Sequence, residues 1–231
     1  MGPMREIIFD TETTGLDPVT GDRMVEIGCI EMVNRVATGR TFHAYYNPER
    51  AMPMEAERVH GLSAAFLSDK PLFRDTLDEL LDFLGDSPLV AHNAQFDFGF
   101  LNHELRLCER EHVCQTRMID TLAIARRRHP GAKHSLDALC NRYGVDRSHR
   151  VLHGALLDAE LLAQVYVELT GGRQIGLELA AEVLAHQDTE ITVFRPQTGT
   201  FRPPRTHAPS AAEIARHKAF IETLQTPLWT S

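Results

Sequence analysis

Near its start the chain carries an apolar run, Ile7-Ile8-Phe9, that leads directly into Asp10-Thr11-Glu12-Thr13-Thr14-Gly15. Stripping water from a carboxylate is costly unless a cation compensates it, so acids at the end of a buried strand need a partner. On a strand, residues i and i+2 project from one face, roughly 6.5 Å apart along the chain. Asp10 and Glu12 therefore aim at one point. Two acids so placed suggest divalent cations bound through oxygen.

Two later segments supply further ligands. Leu89-Val90-Ala91 reads as a short strand running through a turn into a helix that opens near Asp97. His153 stands just before a strongly apolar helix that contains Asp158. Helical residues five apart differ by about 140° in azimuth. His153 must therefore lie on the preceding loop if it shares a target with Asp158.

The pattern between these anchors predicts strands over Arg5–Phe9, Met24–Val33 and Thr41–Tyr46, the last two joined through Asn34 and Gly39. Short helices or irregular chain fill Pro53 to Leu67. The 3.6-residue period of Phe73, Leu77, Leu80, Leu81 and Leu84 gives a helix over Phe73–Leu84, stopped by Gly85-Asp86-Ser87-Pro88. After the Leu89–Ala91 strand come helices over Asp97–Leu107, Leu122–Arg128, Leu136–Tyr143 and Ala155–Leu169, with a short strand near Met118–Ile119. Strands first, then strands alternating with helices, indicate an α/β layered domain.

With 231 residues, 43% of them hydrophobic, the chain buries one core and leaves a tail. No apolar run approaches the ~18 residues of a membrane span. No secretory leader is expected, since Asp10 and Glu12 interrupt the only early apolar stretch. Cys29, Cys108, Cys114 and Cys140 lack zinc-like pairing, and three of them fit apolar patterns as buried free thiols. A reduced, cytoplasmic protein is the expectation. The net charge of −8 gives no basic footprint for phosphate beyond Arg126-Arg127-Arg128 with Lys133 and Arg142. Weak intrinsic affinity for nucleic acid, with a partner holding the substrate, follows.

Together these residues resemble the three motifs of the DEDDh exonuclease family: Asp10 and Glu12, then Asp97, then Asp158 with His153 five residues ahead. Val25-Glu26-Ile27-Gly28, Val59-His60-Gly61 and Ser135-Leu136-Asp137-Ala138-Leu139-Cys140 extend the likeness over residues 5 to 171, toward the branch that proofreads for bacterial replicative polymerases. The resemblance implies a ribonuclease-H-like fold, with a mixed five-stranded sheet flanked by helices. It implies 3′–5′ removal of deoxynucleoside monophosphates from DNA 3′ ends with two Mg²⁺ or Mn²⁺ ions. Asp10 would bridge both ions, Glu12 and Asp158 hold the water-activating one, and Asp97 support the second. His153 would be the general base. Thr13, Thr14, Glu55, His60, Asn93 and Phe96 would contact the terminal nucleotide.

Residues 1–171 are thus read as the nuclease domain, 172–209 as a proline-bearing linker and 210–231 as a tail helix. In the linker, Gln174, Leu177 and Leu179 resemble a sliding-clamp-binding peptide. Ser210 and Glu213 form a capping-box pattern at the start of the tail. Ile214, Ile221, Leu224 and Trp229 resemble anchors for the polymerase alpha subunit, since an exposed Trp beside an amphipathic helix is typical of an interface. A further small accessory subunit is left open. Two alternatives remain at this level: a free-standing DEDDh exoribonuclease, because the catalytic residues do not select the sugar, and a non-catalytic polymerase–clamp scaffold.

Overall fold

The computed structural model describes residues 4–148, 150, 152–172 and 208–223. Gln174, Leu177, Leu179, Leu224 and Trp229 lie outside the described residues. The chain divides into two units, Met1–Leu177 and Glu178–Ser231.

Five strands build the first unit: β1 (Arg5–Thr13), β2 (Met24–Val33), β3 (Val36–Tyr45), β4 (Leu89–Ala91) and β5 (Met118–Asp120). They form one mixed sheet in the order β3-β2-β1-β4-β5, antiparallel from β3 to β1 and parallel from β1 to β5. The helices are α1 (Met54–His60), α2 (Ala64–Leu67), α3 (Phe73–Leu84), α4 (Ala94–Leu107), α5 (Thr121–Arg128), α6 (Leu136–Tyr143) and α7 (Ala155–Leu169).

The alternation of β1 divides the core. Ile7 and Phe9 face one side, where they join residues of α3 and α4 such as Leu80, Phe98 and Leu101. Ile8 faces the other, where it meets Ile30, Met32 and the α7 residues Ala159, Leu162 and Tyr166. Ala125 of α5 and Leu139 of α6 extend this second side by packing with Leu161 and Val165 of α7. Asp10 and Glu12 share the parity of Ile8 and so belong to the α7 side.

Three elements differ from the sequence expectation. The first strand does not stop at Phe9 but continues to Thr13, because β2 pairs with it through Asp10↔Gly28 and Glu12↔Glu26 before a register shift at Thr13. Strand β3 begins at Val36 rather than Thr41, because Asn34 and Arg35 both take positive φ (51° and 64°) and close a two-residue hairpin that needs this conformation twice. Helix α4 begins at Ala94, three residues before Asp97, because Asn93 turns the chain in the left-handed region at φ 65°. Of the cysteines, only Cys29 and Cys140 are buried, while Cys108 is half-buried and Cys114 exposed.

Gly28 decides how closely α7 approaches the sheet. A Cβ built there would fall 2.3 Å from Cα of Leu156, so only glycine lets the first turn of α7 lie against β2. That turn carries Asp158, and the Gly28 backbone pairs with Asp10.

In the second unit, α8 (Ala211–Glu222) carries the capping box, with the Ser210 hydroxyl accepting from the Glu213 N–H and the Glu213 carboxylate accepting from the Ser210 N–H. None of its side chains is buried. No helix among the described residues is long and apolar enough to cross a membrane.

Candidate active site

Four carboxyl side chains from three elements converge at one end of the sheet. Glu12, Asp97 and Asp158 are buried. Asp10 keeps some exposure as a residue, yet its carboxyl lies deep among protein atoms and close enough to Asp97, Glu12 and Asp158 to be affected by each. Burial, then the three neighbouring acids, raises the Asp10 carboxyl well above its usual range. Burial first, with Asp158, Glu26 and Asp97 adding to it, raises Glu12 to about 8. Burial raises Asp97 to about 7, although the Thr11 hydroxyl donates to it at 2.8 Å. Such groups favour positive charge among them.

His153 lies on the loop before α7, outside the helix, with Gly154 as N-cap. Its backbone N–H donates to the Val59 carbonyl at 3.1 Å, which ties this loop to α1. Its ring is about half exposed, and Nδ1 stands 3.2 Å from Oδ2 of Asp158. Ligand atoms of Glu12, His153 and Asp158 lie within 4.8 Å of one another. Asp10 and Asp97 are not members of that tight group. Oxygen-rich donors with raised carboxyls suit hard divalent ions, so the residues present fit such ions.

A cavity of about 510 Å³ opens beside the acids, lined by Glu12, Thr13, Thr14, Glu55, His60 and Phe96 among others. Five of the six expected nucleotide contacts thus share one cavity with Glu12, while Asn93 sits outside it as the turn residue that starts α4. Thr14 also has structural work. Its hydroxyl contacts Asp22 and accepts from the Arg23 N–H, which braces the β1–β2 loop. His60 accepts the Leu62 N–H at Nδ1, so Nε2 carries the proton in the neutral ring. Nε2, beside the Thr13 backbone, makes no hydrogen bond of ordinary geometry. Burial lowers the pKa of this imidazole.

Sequence reasoning missed Arg150. Its guanidinium engages Asp158 side-on, Nε to Oδ1 at 2.5 Å and Nη2 to Oδ2 at 2.6 Å. It also reaches Asp137 Oδ1 at 2.6 Å and His153 Nδ1 at 2.8 Å. Burial alone would raise Asp158, but the adjacent His153 ring and Arg150 guanidinium outweigh it and hold this carboxyl below its usual value. The signal in the sequence was the need for a cation beside so many acids, with an arginine three residues ahead of His153. Glu26, noted in the sequence only as part of the Val25-Glu26-Ile27-Gly28 segment, lies opposite Glu12 on the adjacent strand; it is buried and paired with His43 Nε2 at 2.7 Å. Arg128, read as part of a basic patch, instead caps the last turn of α7 by donating to the Leu169 carbonyl at 2.7 Å.

A mixed sheet that presents Asp10 and Glu12, with further acids from two helices and a histidine just ahead of the last, defines a DEDDh-type nuclease. Residues 7–166 match the RNase T family, described as exonuclease. The DNA polymerase III subunit epsilon of Rickettsia felis is 50% identical, covering 97% of this chain and 98% of that protein. The protein of the same name from Escherichia coli K12 is 42% identical, covering 96% and 93%. Among solved structures, exonuclease X in complex with 5′ overhanging duplex DNA superposes with a TM-score of 0.57 at 28% identity, over 71% of this chain and 90% of that one. The nuclease domain of 3′hExo bound to rAMP, at 18% identity and a TM-score of 0.63 over 73% and 92%, shares the fold.

The chain belongs to this exonuclease family and, within it, to the DNA polymerase III epsilon subunits. It is a 3′–5′ exonuclease.

Proposed function

We propose that this chain proofreads DNA replication by hydrolysing the 3′-terminal phosphodiester and releasing deoxynucleoside monophosphates. The observation that carries this reading is the convergence of Asp10, Glu12, Asp97 and Asp158, with Glu12 lining a cavity of nucleotide size and His153 beside Asp158.

Asp10, Glu12, Asp97 and Asp158 are the residues that would hold two Mg²⁺ or Mn²⁺ ions. When bound, such ions polarise the attacking water and neutralise charge on the leaving 3′ oxygen. His153 takes the proton of the water. When its Nδ1–H is donated to Asp158, the Nε2 lone pair is free to accept. The cavity walls orient the terminal nucleotide. The His60 Nε2–H and the Thr13 backbone offer polar contacts there, and the Phe96 ring offers an apolar surface.

Residues 172–209 serve as a connector that carries a clamp-binding peptide at Gln174, Leu177 and Leu179, and α8 with Ile214, Ile221, Leu224 and Trp229 binds the polymerase alpha subunit. A capped helix with no buried side chain supports this role for α8, as do relatives named as polymerase subunits. Low intrinsic affinity for DNA, consistent with a charge of −8, makes the polymerase the holder of the primer.

Nuclease assays in Mg²⁺ with matched and mismatched DNA primer ends and with RNA test the reading. Faster release from the mismatched DNA end is expected. Selective digestion of RNA, or none of either, would overturn it. Loss of polymerase capture on deleting residues 211–231 tests the tail.

A further inference from the structure

Arg150 places a fixed positive charge on one of the carboxylates that the proposed function assigns to metal ions. Its side chain is only 8% exposed, so the guanidinium belongs to the site and not to the surface. The two-pronged contact engages both oxygens of Asp158, in the geometry that gives arginine–carboxylate pairs their strength.

The same guanidinium constrains His153. Arginine has five N–H donors and no acceptor; Nη2 stands 2.8 Å from Nδ1 and 3.4 Å from Nε2, so the nearer nitrogen, Nδ1, is the one that accepts. The neutral ring then carries its proton on Nε2. With one nitrogen engaged and the other protonated, the imidazole has no free lone pair with which to take a proton from water. In this arrangement a proposed metal ligand and the proposed base are both held by one cation.

We propose that Arg150 is a cationic placeholder: it occupies Asp158 and His153 in the metal-free protein and gives way when a divalent ion is taken up at Asp158. The inference rests on the metal-dependent reading of the site given above. Asp137 provides the alternative seat. It is half-exposed, lies outside the group of candidate ligands and already binds Nη1 at 2.6 Å. Arg150 can therefore release Asp158 without losing every carboxylate partner. Release also frees Nδ1 of His153 to donate to Asp158, 3.2 Å away, which leaves Nε2 able to accept a proton. Taking up the ion and arming the base become one event.

The placeholder sets a sign that a purely supportive arginine would not give. If Arg150 only oriented Asp158 for metal, its removal would weaken metal binding. If it competes, removal tightens binding. The test is Mn²⁺ titration of the full chain without DNA, at one pH near 8, followed by calorimetry and by the electron paramagnetic resonance of free Mn²⁺. Arg150→Gln is expected to bind about tenfold more tightly than wild type, the lower end of the one to three pK units that an adjacent arginine is worth to a carboxylate. Equal or weaker binding by Arg150→Gln, with wild type binding normally, would overturn the placeholder and leave the metal reading standing. Absence of Mn²⁺ binding by wild type would overturn the metal reading and the placeholder with it. If Arg150→Gln fails to fold, Arg150→Lys keeps the charge and loses the side-on pair. Its affinity should rise by less, and an affinity at or below wild type would again overturn the proposal.

Discussion

Thr11 donates its hydroxyl hydrogen to Oδ1 of Asp97 at 2.8 Å, joining the centre of β1 to the first turn of α4. The bond favours the ionised carboxylate against a burial that raises it to about 7. Thr11→Val removes the donor and keeps the shape. Hydrogen bonds to charged groups are worth about 1.5–3 kcal/mol, so the variant should need about tenfold more Mg²⁺ for half-maximal exonuclease rate. Thr11→Ser should restore the requirement. A Mg²⁺ titration of the rate reads both.

Gly28→Ala places a methyl group on the backbone of α7. The helix must retreat, and Asp158 retreats with it. A displacement of about 1 Å in a catalytic group can cost on the order of 10²-fold in rate, and overpacking costs about 1–3 kcal/mol of stability. Exonuclease rate and thermal unfolding should therefore both fall. A variant with full activity would show that the close approach at Gly28 does not position the acid.

His153→Ala should lose about 10²–10⁴-fold in rate, the usual worth of a general base, while calorimetry still detects Mn²⁺. Digestion of single-stranded DNA at the wild-type rate would remove His153 from the reaction.

The raised carboxyls give stability a definite pH slope without metal. Glu12 at about 8 and Asp97 at about 7 hold protons in the folded chain that the unfolded chain has released above its ordinary values of 4.5 and 3.8. Their contribution is complete below the unfolded values and disappears as pH rises through 7 and 8. Asp158, held low, acts in the opposite direction and only at acid pH. In EDTA, Tm should decline between about pH 5 and about pH 9, and saturating Mg²⁺ should flatten the decline. A level curve in EDTA would contradict the assigned burial.

Much of this site was legible because charge in an apolar setting demands an explanation. Asp10 and Glu12 follow Ile7-Ile8-Phe9, and that alone pointed to cations. Helices α3, α6 and α7 were legible through their apolar periods, which local chemistry sets. The extension of β1 through Asp10 to Thr13 was not, because Asp10 and Glu12 disfavour strand and the segment is held by pairing with β2. Nor was Arg150, whose partners Asp137 and Asp158 come from two different helices and meet only after α6 and α7 have packed. The left-handed turn at Asn93 was not legible either, because a positive φ leaves no local trace beyond the residue type.

The acids come from both sides of the sheet: Asp158 rides on α7 over one face, and Asp97 on α4 over the other. A nascent or half-folded chain therefore cannot assemble the centre, since neither layer alone brings enough negative charge together. Hydrolytic capacity arises only once the whole sandwich has closed.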